Sequence, residues 1–177
     1  MNNLGLIHVY TGEGKGKTTA AIGAGIRAVG HRYRVYMIQF LKGGSGFPEY
    51  GEIRAIKAFK NFTIEQFGSS HFVLPGKASD EDLMIISQAL KRAQEVSSSG
   101  EYDLVILDEI NVAYKLGLLS LEDLLALLKN KASQTELILT GRGAPPELLK
   151  RADLVSQIIP VKHPYNSGVK ARKGIEY

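Results

Sequence analysis

Strand-like apolar runs that alternate with helical segments are the feature that most constrains the fold of this chain. The runs are residues 4–10, 34–40, 62–67, 102–109, 136–140 and 154–161. Strands of a parallel sheet that is covered on both faces are largely apolar throughout, whereas strands with one wet face alternate apolar and polar residues. The sequence therefore predicts one α/β domain over residues 1–177, three layers deep, with a mostly parallel central sheet of five or six strands.

The segments between these runs carry helix signals. Ser79 and Ser120 are each followed three residues later by an aspartate, Asp82 and Asp123. This spacing is a capping-box signature and predicts that a helix begins after each serine. Further helices are predicted from Thr18 to about Gly30 and over residues 146–153. The glycine-rich stretches 41–52 and 68–79 are interpreted as loops, the first of them mobile.

Composition excludes several classes of function. The chain has 177 residues, 44% hydrophobic and 23% charged, and no cysteine. Disulfides, thiolate metal sites and cysteine nucleophiles are therefore excluded. No apolar run is long enough to span a bilayer and no signal peptide is recognisable, so we expect a cytoplasmic protein with no membrane partner.

The net charge of +4 is modest, and its densest part is the tail 161–177. The cations there are Lys162, Lys170, Arg172 and Lys173. A solvated basic tail is the favoured interpretation, and contact with an anionic small molecule is an alternative. A duplex-binding patch usually needs a clustered basic face or a recognition element, so no nucleic-acid partner is expected.

The turn "TGEGKGKTT" (residues 11–19) joins the first strand to the first helix. Backbone N–H groups of such a turn, with the helix N-terminus behind them, bind phosphate. We call its residues 12–19 the phosphate cradle: Gly12, Glu13, Gly14, Lys15, Gly16, Lys17, Thr18 and Thr19. Lys17 is expected to reach phosphate oxygens and Thr18 to ligate magnesium. The strict motif has glycine where this chain has Thr11, and an ordinary glycine-rich loop is the alternative.

Two acids and an arginine follow later strands. Asp108 and Glu109 end the run "LVILDE", which delivers two carboxylates to the edge where the cradle lies. They are expected to hold Mg²⁺ or Mn²⁺, and Asp108 is the usual choice for the direct contact by its position on the strand. Acids at a strand end with no role are the alternative. Arg142, in "TGRGAP", is expected to direct its guanidinium at phosphates, with a plain surface arginine as the alternative.

These residues leave the reaction open. Most domains with such a cradle act at the terminal phosphate, and Glu109 could orient the attacking water or hydroxyl. An ATPase, a phosphotransferase and a nucleotide-dependent binding protein all remain candidates. The four histidines show neither triad nor metal-ligand spacing and are interpreted as structural. They are His8, His31, His71 and His163.

Segments along the whole chain resemble the P-loop ATP:corrinoid adenosyltransferases, in colinear order over residues 4–177. The matching segments are "YTGEGKGKTTAA", "RAVGHRYRVYMIQFLKG", "YDLVILDEIN", "LTGRGAPPEL" and "VKHPYNSGVKARKGIEY". The family writes its cradle with the same shifted glycines. Its members transfer the 5′-deoxyadenosyl group of ATP to the cobalt of a corrinoid.

The resemblance implies ATP as co-substrate, a reduced corrinoid as substrate, a divalent ion, a flavoprotein or other reductase as partner, and a homodimer. Reduced cobalt is itself a strong nucleophile, so no protein nucleophile is required. Lys17 and Arg142 would neutralise the departing triphosphate, together with the ion near Asp108 and Glu109. Lys17, Arg142 and Glu109 are therefore the predicted catalytic residues.

The corrinoid is expected to lie over the same sheet edge, covered by the segments 41–52 and 68–76. The candidate contacts are Phe47, Tyr50, His71 and Phe72, with plain anchoring of the loops as the alternative. In the family, a loop that corresponds to the second of these segments carries aromatic residues that displace the lower axial ligand of cobalt. This chain has Phe72 there and no tryptophan, so the carry-over is partial.

Overall fold

The computed structural model describes residues 4–45 and 50–177. Their sheet has six strands in the order β3-β2-β4-β5-β1-β6, and every pair of neighbours is parallel. The strands are β1 (Ile7–Thr11), β2 (Val35–Phe40), β3 (Phe62–Phe67), β4 (Leu104–Asp108), β5 (Glu136–Thr140) and β6 (Leu154–Gln157). The predicted parallel α/β architecture is confirmed.

Six α-helices accompany the strands in the described part of the chain. They are α1 (Lys17–Gly30), α2 (Gly51–Ile56), α3 (Asp80–Ser98), α4 (Ile110–Lys115), α5 (Leu121–Asn130) and α6 (Pro146–Arg151). Both capping boxes are present, with each serine hydroxyl accepting from the backbone N–H of its aspartate. Among these helices, none is both long and apolar enough to cross a membrane.

Some predicted boundaries are wrong. The loop prediction for residues 41–52 runs too far, because α2 begins at Gly51, and α4 was not predicted at all. The fourth strand ends at Asp108, and Glu109 has a left-handed backbone with φ 62°. The last strand is shorter than predicted and ends at Gln157. Both α2 and α4 have only six residues, and a helix of fewer than two turns is too short to show a periodic pattern in the sequence.

Helices cover both faces of the sheet. Successive residues of a strand point to opposite faces, and in β2 Val35 and Met37 join one core cluster while Tyr36, Ile38 and Phe40 join the other. The first cluster includes residues of α1 and α2, and the second includes residues of α3, α4 and α5. This is the predicted three-layer arrangement.

The topology brings the carboxyl ends of all strands to one edge. β5 lies between β1 and β4, so the end of β5 separates the cradle that follows β1 from the acids at the end of β4. In the register of β2 with β4, Gln39 lies opposite Asp108. Open parallel sheets bind their ligands beyond this edge, and the predicted site residues lie there.

Candidate active site

The backbone of the phosphate cradle explains its shifted glycines. Thr11, where the strict motif has glycine, is the last residue of β1 and pairs with Gln157 of β6. The first left-handed residue is Gly12, with φ 96°, and the second is Gly16, with φ 117°. A Cβ on Gly12 would lie 2.4 Å from the carbonyl oxygen of Ile158. Glycine is therefore required one position later than in the strict motif.

The cradle leaves donors available to an anion. The N–H of Gly14 donates to the carbonyl of Ile158 at 2.8 Å. Among the described residues, no acceptor is found for the backbone N–H groups of Lys15 and Gly16. These two groups lie at the N-terminus of α1, where a helix binds anions best.

Lys17 is folded into the cradle. Its Nζ donates to the carbonyl oxygens of Gly12 and Gly14 at 2.8 and 2.6 Å, and the residue is 6% exposed. Burial lowers the pKa of the Lys17 ammonium, and the nearby Arg142 lowers it further, against the opposing effect of Glu109. A phosphate entering the cradle would give this ammonium an anionic acceptor in place of two neutral carbonyls.

Asp108 is fully buried and fixed by hydroxyl groups from two elements. Its Oδ1 accepts from Thr18 Oγ1 at 2.8 Å and from Thr140 Oγ1 at 2.6 Å. Thr140, the last residue of β5, also accepts from the backbone N–H of Glu109 at 3.0 Å. One hydroxyl therefore holds both acids of the "DE" pair in place.

Lys42 is a site residue that the sequence analysis missed. Its Nζ donates to Asp108 Oδ2 at 2.8 Å, and the same oxygen accepts from Gln39 Nε2 at 3.1 Å. Burial alone would lower the pKa of Lys42, but the negative charges of Asp108, and then of Glu109 and Glu52, raise it above its ordinary value. The signal available in the sequence was its position three residues after Gln39, just beyond the carboxyl end of β2.

Glu109 has a different environment. Its side chain lines the main cavity, and among the described residues its carboxylate makes no hydrogen bond or ion pair. Burial, and then the negative charge of Asp108, raise the pKa of Glu109 above its ordinary range. A desolvated carboxylate with free lone pairs gains more than a satisfied one from a cation.

Arg142 follows β5 and lies at the mouth of the cavity. Its Nε is 3.3 Å from Glu13 Oε2, and Lys115 Nζ is 3.9 Å from the other oxygen of the same carboxylate. All three side chains are more than half exposed. The structure thus brings Arg142 to the cradle, but it directs the Glu13 side chain at two cations rather than into the cavity.

The main cavity has a volume of about 780 Å³ and extends from the cradle to the loop 68–79. Tyr50, His71 and Phe72 all line it, and Phe72 is 79% exposed. Phe47, the remaining aromatic candidate, lies outside the described residues. The cavity therefore joins a phosphate site to a surface that carries aromatic groups.

A buried carboxylate anchors the loop 68–79. Asp82 is 1% exposed and accepts from Ser69 Oγ and from the backbone and hydroxyl of Ser79, with His71 Nε2 at 3.4 Å. The hydrogen bond from Ser69 is the largest cause that lowers the pKa of Asp82 to about 2. Asp82 was predicted only as a helix cap, and in the structure it also fixes the segment that carries Phe72.

The basic tail folds back on the cradle. Lys15 Nζ lies 3.1 Å from Glu176 Oε1 and 3.2 Å from the carbonyl of Ile175. Arg172 binds the same glutamate through its backbone N–H at 2.7 Å and through its guanidinium. Residues 174–177 consequently line the main cavity. The tail therefore forms one wall of the cavity, and its Glu176 is held there by Lys15 of the cradle.

The histidines have local partners. His8 pairs with Glu136 at 2.8 Å, His31 caps the end of α1, and His163 accepts from the N–H of Tyr165 at 3.2 Å. His71 joins Asp82 as described. These contacts agree with the structural roles expected for all four residues, although His71 and His163 also line the cavity.

Comparisons with known proteins give relatives over nearly the whole chain. A corrinoid adenosyltransferase of Escherichia coli (strain K12) is 36% identical, with 98% of this chain and 86% of the relative covered. The corresponding enzyme of Salmonella typhimurium is 37% identical with the same coverage. That of Pseudomonas aeruginosa is 33% identical, with 98% of this chain and 84% of the relative covered.

Similarity to solved structures is weaker. Domain III of the Thermotoga maritima replication initiation protein DnaA is 13% identical, covers 88% of this chain and 55% of that chain, and has a TM-score of 0.45. The family assignment accordingly depends on sequence. The model of the family described as ATP:corrinoid adenosyltransferase BtuR/CobO/CobP matches residues 3–177. The chain belongs to the ATP:corrinoid adenosyltransferase family.

Proposed function

We propose that this protein transfers the 5′-deoxyadenosyl group of ATP to the reduced cobalt of a corrinoid and releases triphosphate, with a divalent ion held near Thr18, Asp108 and Glu109. The observation that carries the proposal is the continuous cavity, which joins the phosphate cradle to the exposed ring of Phe72. A transfer between two substrates requires both of them in one cavity, with the reacting atoms close together.

In this reaction the cobalt electron pair forms the bond to C5′, and the bond from C5′ to the α-phosphate oxygen breaks. The electron pair of that bond leaves with the triphosphate. Because cobalt is the nucleophile, the protein has to align the ribose carbon and stabilise the departing anion. This requirement fits a site that presents the Lys17 ammonium and N–H donors at the phosphate cradle.

We assign four groups to binding of the triphosphate: the Lys17 ammonium, the backbone N–H groups of Lys15 and Gly16, and the Arg142 guanidinium. The Lys17 ammonium bonds two carbonyl oxygens within the cradle, and the Arg142 guanidinium lies beside the carboxylate of Glu13 in the same cradle. A fixed donor in a partly desolvated site stabilises developing charge more than the same donor in water. Arginine also presents a fork that matches phosphate oxygens.

The residues present fit a divalent ion such as Mg²⁺ or Mn²⁺. Glu109 offers carboxylate oxygens without protein partners, and the Thr18 hydroxyl donates to Asp108, which leaves its lone pairs free for a metal. The described residues contain no cluster of three or more acidic, histidine or cysteine ligands. One carboxylate and one hydroxyl are enough for Mg²⁺, which takes few protein carboxylates and completes its shell with phosphates and water. When bound, the ion neutralises triphosphate charge.

The second substrate is assigned to the part of the cavity near Phe72. A large exposed ring on an anchored loop is a suitable surface for a flat, partly apolar macrocycle. The cobalt must be reduced before it can attack carbon, so a flavoprotein or other reductase has to deliver electrons. The reductase, the homodimer and the cytoplasmic location stay predictions.

An experiment that identifies the bond broken in ATP tests the function. ATP labelled separately in the adenosine carbon and in the γ-phosphate would be incubated with Mg²⁺ and chemically reduced corrinoid under anaerobic conditions. We expect carbon label on a light-sensitive corrinoid and phosphate label in tripolyphosphate. Formation of ADP that does not depend on corrinoid would contradict the proposal and favour an ATPase or phosphotransferase.

A further inference from the structure

Lys42 is placed in the site by several independent features. Leu41, the residue before it, has a left-handed backbone with φ 60°, which is rare outside glycine. A Cβ on Gly68, the residue after β3, would lie 2.4 Å from the backbone nitrogen of Lys42. Strained backbone of this kind persists where the surroundings enforce it, and it is concentrated at functional sites. The backbone of Lys42 is therefore constrained by the residues that follow β2 and β3.

The ammonium completes the hydrogen bonding of Asp108. Oδ1 accepts from Thr18 and Thr140, and Oδ2 accepts from Lys42 and Gln39. An ionised carboxylate has about four acceptor sites, so all of those on Asp108 are used. The Gln39 amide is itself held in orientation, because its oxygen accepts from Gln66 at 2.8 Å.

Asp108 and Glu109 are consecutive in sequence but opposite in their surroundings. Asp108 is 0% exposed, and it is Glu109 whose side chain lines the cavity. For Asp108 to bind a metal directly, one of its four donors would have to leave. Removing the Lys42 ammonium would leave a buried charge without its partner, which is costly.

We propose that Lys42 is a positioning residue of the metal site: it occupies Oδ2 of Asp108, so that Asp108 orients the Thr18 hydroxyl and only Glu109 binds the divalent ion directly. This inference depends on the proposed function, because it concerns the ion bound with the triphosphate. The two neighbouring acids therefore have different roles, orientation of a hydroxyl and direct metal binding, and the lysine determines which acid has which role.

The test is a titration with Mn²⁺ in the absence of nucleotide and corrinoid. The electron paramagnetic resonance signal of free Mn²⁺ measures how much of the ion is bound. In Lys42→Met, Oδ2 loses its strongest donor and a second carboxylate becomes available to the ion. Metal affinity depends on the number of charged ligands, so we expect Mn²⁺ to bind about tenfold more tightly than in the wild type. A residue that only stabilised the fold would give unchanged or weaker binding, and that result would overturn the proposal.

Two controls separate a freed ligand from a general change of charge. Lys115→Met removes a cation from the same end of the sheet without touching Asp108, and it should change Mn²⁺ affinity less than about threefold. The double variant Lys42→Met with Asp108→Asn should lose the gain, because the freed carboxylate is absent. A gain that persists in the double variant would also overturn the proposal.

Circular dichroism would verify that each variant folds. If Lys42→Met does not fold, Lys42→Ala replaces it, since it also removes the donor to Oδ2, and the same direction of change is expected. Turnover of ATP and corrinoid is measured separately. Failure of adenosyl transfer in the wild type would contradict the proposed function, whereas the Mn²⁺ titrations would still decide the role of Lys42.

Discussion

The hydroxyl of Thr18 donates to Oδ1 of Asp108 at 2.8 Å, across ninety positions of sequence. The contact joins the first turn of α1 to the end of β4, and it fixes the direction in which the hydroxyl proton points. A metal ligand whose proton is held by a neighbouring acid presents its lone pairs to the ion. The relationship therefore connects the cradle to the acids before any ligand binds.

Replacement of Thr18 tests this connection. Thr18→Val keeps the shape of the side chain but removes the hydroxyl, so we expect kcat/KM for adenosyl transfer to fall by about 10- to 100-fold. Thr18→Ser restores the hydroxyl and should recover most of the rate. Steady-state assays over a range of Mg²⁺ concentrations would measure both variants. Equal losses in the valine and serine variants would show that the methyl group, and not the hydroxyl, is what matters.

Lys17→Ala should lower kcat/KM by about 100-fold or more, because a fixed cation is lost from the departing triphosphate. Lys17→Arg should recover little of this, since the wide guanidinium does not fit where one ammonium bonds the carbonyls of Gly12 and Gly14. Thermal unfolding of both variants serves as the control for folding. Near-normal turnover in Lys17→Ala would exclude the assigned role.

Much of the fold could be predicted from the sequence because the responsible forces act locally. Apolar strands and serine–aspartate caps leave their signals within a few residues, and the cradle and the acids stand at strand ends. Contacts between residues that are far apart in sequence leave no such local signal, because they depend on which strands pair and in which register. Lys42 reaches Asp108 because β2 pairs with β4, and Lys15 meets Glu176 across 161 positions.

Backbone conformation was the other limit. Leu41 and Glu109 have left-handed backbones although neither residue type favours that conformation. That of Glu109 ends the strand one residue earlier than its sequence pattern indicates. By strand position the sequence favours Asp108 as the acid that contacts the ion, whereas the structure buries the Asp108 carboxylate and places Glu109 in the lining of the cavity.

Asp82→Asn should loosen the loop 68–79. The change replaces a carboxylate that is bonded by Ser69, Ser79 and His71, and we expect a loss of about 1 to 3 kcal/mol in the free energy of unfolding. Asp123→Asn is a matched control, because Asp123 has the same capping-box contacts with Ser120 but no further partner among the described residues. Equal losses in the two variants, measured by denaturant unfolding, would contradict the anchoring role.

The contribution of Asp82 to the free energy of unfolding should decrease as the pH is lowered. Its pKa is about 2 in the folded protein, below the ordinary value of about 3.9 for aspartate. A lowered pKa stabilises the fold above the unfolded value, and this stabilisation is lost as the pH falls through the folded value. The difference between wild type and Asp82→Asn should stay constant from pH 8 to about 5 and shrink between about pH 4 and 2. A difference that grew on acidification would have the wrong sign.

The contact between Lys15 and Glu176 should affect ATP binding rather than the chemical step. Glu176→Lys places a repelling charge against the cradle lysine and loosens the tail 174–177, which lines the cavity. Exposed ion pairs contribute little, so we expect KM for ATP to rise about two- to fivefold with kcat nearly unchanged. Lys170→Glu, which inverts a tail cation that has no ion-pair partner among the described residues, should leave KM nearly unchanged.

The charge-reversed double variant separates the contact from the individual charges. Lys15→Glu removes a cradle cation and should raise KM by itself, so the informative quantity is the coupling in a double-mutant cycle. If Glu176 positions Lys15, then Lys15→Glu combined with Glu176→Lys should have a lower KM than the product of the two single effects predicts. The coupling should weaken as salt is raised, because the pair is partly exposed to solvent. Strictly multiplicative effects at low salt would mean that the tail and the cradle act independently, and the tail would then be a wall of the cavity without influence on the phosphates.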